Sequence, residues 1–171
     1  VNSARDLQSA LDIIVTRVRS ALTTQVCSVY LLDSDINSHV LMASQGLKAE
    51  AVGRVSLQTG EGLVGLVAKH AEPINLSDAS KHPSYFYLQD TGEEEFNSFL
   101  GVPIIHHRAV LGVLVIQQRE SRRFDEGEEA FLITLSAQLS GVIAHAEATG
   151  AIQGLSPSGQ KTEDTVFPGV S

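Results

Sequence analysis

Apolar positions recur along the chain with two distinct periods. Leu7, Leu11, Ile14, Val18 and Leu22 repeat at spacings of three and four, which predicts an amphipathic helix over residues 3–22. Ala10, Val15 and Ala21 widen its apolar stripe, while Asp6, Arg17 and Arg19 lie elsewhere on the cylinder. The period then changes. Residues 26–32 are rich in β-branched and aromatic types and predict a strand. The run from Asp33 to Ser38 has turn composition, and His39 to Ser44 predicts a second strand closing a hairpin, with Gly46 ending it. Val52 to Leu57 reads as a short third strand.

A short helix is expected at 62–70, inside Gly60-Glu61-Gly62-Leu63-Val64-Gly65-Leu66-Val67-Ala68-Lys69. Glycines in an exposed helix interior cost on the order of 1 kcal/mol each, so these glycines point to close packing against a neighbour. Pro73 stops the helix, and Ile74-Asn75-Leu76 continues extended. Two strong strands follow, Ser98 to His106 and Val110 to Arg119, joined by a loop of His107, Arg108 and Ala109. In the second of these strands Leu111, Val113 and Val115 are expected on one face, Leu114 and Ile116 on the other. Apolar on both sides, it reads as a central strand covered above and below. Asp125, with Glu128 three residues on, has the form of a capping box. Phe131, Leu132, Leu135, Leu139, Val142 and Ile143 then carry a last helix to about Ala148.

The connection 77–97 is unusually long and holds Tyr85, Phe86 and Tyr87 among polar residues. Loops beyond about 12–15 residues are uncommon in compact domains and often functional. After Thr149 glycine, serine and proline give linker composition, and the final Val166-Phe167-Pro168-Gly169-Val170-Ser171 turns apolar again. The expected division is a folded domain at 1–148, a linker at 149–165, and the start of a following region at 166–171. The chain opens at Val1 rather than Met, which reads as a fragment.

The 171 residues carry a net charge of −8 and are 43% hydrophobic, as expected of a globular domain. The densest basic cluster is Arg119, Arg122 and Arg123, interrupted by Glu120. A surface that tracks phosphates needs clustered cations, so neither nucleic acid nor an anionic membrane is an expected partner. No stretch is expected to reach the roughly 20 apolar residues of a spanning helix. The one cysteine, Cys27, lies in an apolar run and reads as a small buried hydrophobe. A reducing cytoplasm is the expected home.

Several segments, in this order, resemble the GAF domain, a ligand-sensing α+β fold. They resemble more closely the regulatory domain of the nitrogen-type phosphotransferase Enzyme I family. They are Val26-Cys27-Ser28-Val29-Tyr30-Leu31, Gly60-Glu61-Gly62-Leu63-Val64-Gly65, Ala71-Glu72-Pro73-Ile74-Asn75-Leu76, Leu100-Gly101-Val102-Pro103-Ile104-Ile105 and Leu111-Gly112-Val113-Leu114-Val115-Ile116-Gln117-Gln118. Phe167-Pro168-Gly169-Val170-Ser171 looks like the opening of that family's phosphotransfer region. The resemblance implies a central antiparallel sheet, with the N- and C-terminal helices on one face and a short helix plus the long loop on the other. It implies a parent enzyme that takes phosphate from phosphoenolpyruvate onto a histidine, with Mg2+, and passes it to a nitrogen-branch HPr-like carrier. The GAF domain would tune that self-phosphorylation in response to glutamine or 2-oxoglutarate. The histidine lies outside this chain, so no catalytic residue and no cofactor is expected within it.

The residues on their own leave other chemistries open but weakly supported. Six histidines (His39, His70, His82, His106, His107 and His145) show no i, i+4 pair and no cysteine partner, so no metal site is expected. The Gly60–Gly65 run superficially matches a dinucleotide loop, but its surrounding strands read as antiparallel. A sulfoxide reductase, also built on this fold, needs a nucleophilic and a resolving cysteine. The sensor reading instead needs a partly buried pocket with few polar groups. Its candidate polar residues are Ser28, Tyr30, Ser44, Asn75, Asp78, His82, Tyr85 and Ser98. Its candidate apolar walls are Met42, Leu63, Val64, Phe86, Phe99 and Val102. Lys81, Arg108 or the start of the 62–70 helix could receive a ligand carboxylate. The terminal helices carry wider apolar stripes than one sheet face needs, which leads to an expected homodimer through them.

Overall fold

In the computed structural model, which describes residues 3–83 and 96–149, the chain begins with helix α1 (Ser3–Leu22) and the hairpin β1 (Val26–Asp33) and β2 (Ser38–Gln45). A 3-10 turn at Ala49–Ala51 leads to β3 (Ser56–Gln58), α2 (Gly62–His70) and β4 (Ile74–Leu76). A second 3-10 turn, Ala79–Lys81, opens the long connection; β5 (Ser98–His106), β6 (Ala109–Gln118) and α3 (Glu126–Ala148) complete the order. The strands form one sheet, ordered β3-β2-β1-β6-β5-β4, with every pairing antiparallel. As expected for strands apolar on both faces, β1 and β6 lie at its centre. Tyr85, Phe86, the Glu93–Glu95 run, the linker from 150 and the terminal segment fall outside the described residues.

Two cores fill the two faces. On one, Leu7, Leu11, Val15 and Val18 of α1 and Leu132, Leu139 and Ile143 of α3 meet Cys27, Val29, Leu31, Leu100, Ile104, Leu114 and Ile116 of the strands. On the other, Leu63, Val64 and Val67 of α2 cover Tyr30, Phe99, Val113 and Val115, while Val55 and Leu57 close the β2 side. Alternation along each strand produces this division, because successive side chains point to opposite faces. Cys27 is fully buried, and burial pushes its thiol far above the ordinary range, so it is an inert part of the terminal-helix core.

Two bulges break the alternation. Val29 pairs with Ala43 and Tyr30 with Leu41, which leaves Met42 as an extra residue against the terminal-helix core. Ile104 pairs with Gly112 and Ile105 with Val110, which leaves Leu111 extra. Leu111 therefore joins Leu114 and Ile116, not Val113 and Val115 as simple alternation predicts.

Three further expectations change. The third strand is shorter than 52–57, because Ala51 accepts from both Arg54 N–H and Val55 N–H and Gly53 has φ +83°, which makes 51–54 a turn. The β5–β6 loop is two residues rather than three: His106 pairs with Ala109, and His107 and Arg108 both have positive φ (51° and 68°), as tight hairpins require. Finally, α3 is long and apolar enough to cross a membrane by length and composition, contrary to the expectation that no stretch is. Leu132, Leu139 and Ile143 nonetheless bury it against the sheet as a core helix.

Asp125 caps α3 as the sequence signals. Its carboxylate accepts from Glu128 N–H at 2.8 Å, and Glu128 accepts from Asp125 N–H at 2.8 Å. The glycine in α2 is likewise explained by packing. A Cβ on Gly65 would collide with the Gln58 carbonyl and the Gly60 backbone, so the helix can lie against that loop only without one.

Candidate functional site

The face beneath α2 carries a polar strip inside an otherwise apolar surface. Ser28 on β1 is fully buried, and its hydroxyl lies 2.9 Å from that of Ser44, its cross-strand partner on β2. Tyr30 continues the same face two residues on and is also buried. Leu63 and Val64 of α2 and Phe99 of β5 supply apolar cover around it. Six of the fourteen sequence-predicted positions thus come together here: Ser28, Tyr30, Ser44, Leu63, Val64 and Phe99.

The other eight are placed differently. Met42 and Val102 lie in the terminal-helix core on the opposite face. Met42 is there because of its bulge, and Val102 because it alternates with Gly101, whose bare face lies near Val67. Ser98 and Asn75 also face the α3 side and are occupied by structural bonds. Ser98 Oγ donates to the carbonyls of Glu120 and Arg122, and accepts from Arg122 N–H at 3.0 Å. Asp78 is ion-paired with Lys81 at 3.4 Å and accepts from Ser80 Oγ at 2.9 Å. His82 is half-buried at the end of the second 3-10 turn. Tyr85 and Phe86 are outside the described residues.

The proposed carboxylate receivers are displaced too. Lys81 is engaged by Asp78, and Arg108 sits in the β5–β6 turn, at the opposite end of β6 from Gln117. The start of α2 carries its own carboxylate: Glu61 accepts from Gln58 N–H at 2.9 Å.

Asn75, a sequence-predicted candidate, is instead the centre of a structural node. Its amide donates to Phe124 O at 2.8 Å and to Glu129 Oε1 at 3.2 Å, and its oxygen accepts from Phe124 N–H at 3.1 Å. Arg123 donates to the Asn75 carbonyl at 2.9 Å, and Ser121 Oγ to the Ser77 carbonyl at 2.8 Å. Asn97 donates to the Arg119 carbonyl at 2.8 Å, and its own carbonyl accepts from Ala79 N–H. Arg122 grips Glu128 with two bonds of 3.0 and 2.8 Å, which holds the Glu128 carboxyl below its usual range. The described ends of the long connection are therefore both tied to the segment that starts α3.

A residue that sequence reading missed is Gln117. It follows Val113 and Val115 on the α2 face and is only 5% exposed. No hydrogen bond holds its amide among the described residues. The signal was present in the strand pattern: a polar residue continues an apolar face. Beyond it, Arg119 lies over the Phe96 ring at 5.3 Å.

A separate open groove of about 420 Å³ lies at the end of α1, lined by Thr16, Arg19, Ser20, Thr23, Thr24, Gln25 and Gln45. None of the fourteen predicted residues lines it. Among the described residues no group of three or more His, Cys, Asp or Glu converges to hold a metal ion.

The family model for the GAF domain matches residues 6–143. The chain belongs to the GAF domain family. It is 52% identical over 149 residues to proteins of the phosphoenolpyruvate-dependent phosphotransferase system from Salmonella typhimurium and Escherichia coli. Each match covers 87% of this chain and 20% of the relative, so the chain spans about a fifth of their length. Among solved structures, the GAF domain from a phosphoenolpyruvate-protein phosphotransferase of Coxiella burnetii superposes with a TM-score of 0.82 at 49% identity, covering 85% of this chain and 87% of that one. The fold and family expected from the sequence are those observed. The strip beneath α2 is thus a short set of hydrogen-bonding side chains within an otherwise apolar face of the GAF domain.

Proposed function

We propose that this GAF domain is a regulatory sensor whose ligand, glutamine or 2-oxoglutarate, rests on the α2 face of the sheet. In a longer cytoplasmic protein it tunes phosphoenolpyruvate-dependent self-phosphorylation of a nitrogen-branch Enzyme I, with Mg2+ in the phosphotransfer region and an HPr-like carrier as acceptor. Residues 149–165 link the domain to that region, which opens at 166–171. The observation that supports the reading is the Ser28–Ser44 hydroxyl pair, with the Gln117 side chain continuing the same otherwise apolar face. The Asn75 node supplies a route from the sensing side to α3, and a ligand shifts α3 only by binding its two arrangements unequally. Calorimetric titration of the folded 171-residue chain with L-glutamine and with 2-oxoglutarate tests the reading. Heat with at least one is expected; silence with both removes the proposed ligands.

A second function, compatible with the first, is dimerisation through α3. From Ala130 to Ala144 the helix carries no charge, and Phe131, Ile133 and Val142 are 37%, 42% and 41% exposed. A helix apolar nearly all round is a buried one, and a second copy of the same helix supplies the missing cover. Sedimentation shows a dimer if this holds; a strict monomer at high concentration counts against it.

A further inference from the structure

The open groove at the end of α1 belongs to no site described so far. Its volume is about 420 Å³, and every residue that lines it is polar. Arg19 is the one charged residue among those lining it, and no carboxylate is among them. On a chain of net charge −8, such a spot is an exception.

Three parts of the fold meet there. α1 supplies Arg19 and Ser20, the segment between α1 and β1 supplies Thr23 and Gln25, and the end of β2 supplies Gln45. The protein itself fixes which way both amides face. Arg119 N–H donates to Gln25 Oε1 at 2.8 Å, and Arg19 Nη1 donates to Gln45 Oε1 over a longer 3.5 Å. With each amide oxygen turned to a donor, its NH2 group is left to donate elsewhere. Among the described residues neither NH2 group has an acceptor, and the Ser20 and Thr23 hydroxyls have no bond. Thr24 N–H donates to the Arg19 carbonyl at 3.2 Å, which occupies one of the acceptors at the C-terminus of α1.

The groove is therefore rich in donors. A guanidinium flanked by neutral donors holds a phosphate through several bonds at once, and its planar fork matches two phosphate oxygens. No aliphatic or aromatic side chain is among the lining residues to cover a base or an alkyl chain, which confines the rest of any ligand to a small polar group. We propose that this groove binds a phosphate group, as the free ion or on a small polar metabolite, at a site separate from the α2 face. The proposal does not depend on the sensor reading above.

The test is a titration of the isotope-labelled 171-residue chain, followed by nuclear magnetic resonance at constant ionic strength. The probes are inorganic phosphate, phosphoenolpyruvate and pyruvate. Saturable shifts are expected with the first two, in the side-chain NH2 signals of Gln25 and Gln45 and in the backbone signals of Arg19 to Gln25. Pyruvate, which lacks the phosphate, is expected to bind at least tenfold more weakly. Tighter binding of phosphoenolpyruvate than of inorganic phosphate assigns the site to a phosphorylated metabolite; equal binding assigns it to the free ion. Arg19→Gln is expected to weaken phosphate about tenfold and to leave the ligand-free melting temperature unchanged. An Arg19 that serves only the C-terminus of α1 would give the reverse: a lower melting temperature and unchanged affinity. Should Arg19→Gln fail to fold, Gln45→Glu, which adds a carboxylate to the groove, must produce the same loss. Shifts that do not saturate, that pyruvate or chloride reproduces in full, or that both variants leave intact overturn the proposal.

Discussion

The two faces of the sheet bury similar amounts of apolar side chain but treat polar groups differently. On the terminal-helix face, Ser136 and Ser140 bond back to their own helix, and Asn75 and Ser98 are fully engaged with the β6–α3 segment. Among the described residues, only the Gln118 Oε1 atom there is buried without a partner. On the α2 face, the Ser28 and Ser44 hydroxyls bond to each other, and among the described residues His39 Nδ1 is buried without a partner. The first face is a core packed between the sheet and the helices α1 and α3. The second carries a polar strip within its apolar cover, the surface on which the proposed ligand would rest. The difference between the two sides follows from which alternate residue of the same strands is polar.

Substitutions should separate the faces by kind as well as by size. The largest expected effect is Leu139→Ala in the terminal-helix core, at about 4 kcal/mol of lost stability in a urea melt, with ligand affinity per folded molecule unchanged. A comparable loss of affinity would show that the faces are not independent. Asn75→Ala strips both partners from Phe124 and should cost about 3 kcal/mol. It should also leave ligand binding intact while abolishing any ligand effect on α3.

The smallest of the three concerns His39, buried on the α2 side with one ring nitrogen 3.2 Å from Thr59 Oγ1 and the other unpaired. Burial lowers its pKa from 6.5 to about 4. The folded protein thus holds it neutral, while the unfolded chain takes up a proton as pH falls through 6.5. Stability is complete above that value and declines as pH falls toward 4, by about 2 kcal/mol between roughly pH 8 and pH 5. His39→Gln should flatten that component of the pH profile; a profile identical to the wild type would refute the assignment.

Much of the fold was legible because its signals are local. The α1 stripe, the α2 run, the Asp125–Glu128 capping box and the two-faced β6 each follow from spacing within one segment. The misplacements arise where one residue is inserted. A bulge at Met42 and another at Leu111 each shift a side chain to the opposite face, and nothing in the flanking residues announces them. The candidate site was half legible for the same reason. Ser28, Tyr30 and Ser44 fell where alternation put them, while Asn75 and Ser98 were drawn into bonds with residues 119–129, distant in sequence. Gln117 was overlooked because the reading of its strand stopped at the apolar run Leu111–Ile116, although its parity with Val113 and Val115 already placed it on the α2 side.

The claim on which the rest depends is that the α2 face senses and α3 responds. Amide hydrogen exchange of the 171-residue chain with and without saturating L-glutamine tests it most directly. Protection is expected to change in two places: along Val26–Tyr30 and Val113–Gln118, and in the first turn of α3 next to the Asn75 node. Bound L-glutamine that alters neither region, or that protects only the groove around Arg19 and Gln45, would contradict the account.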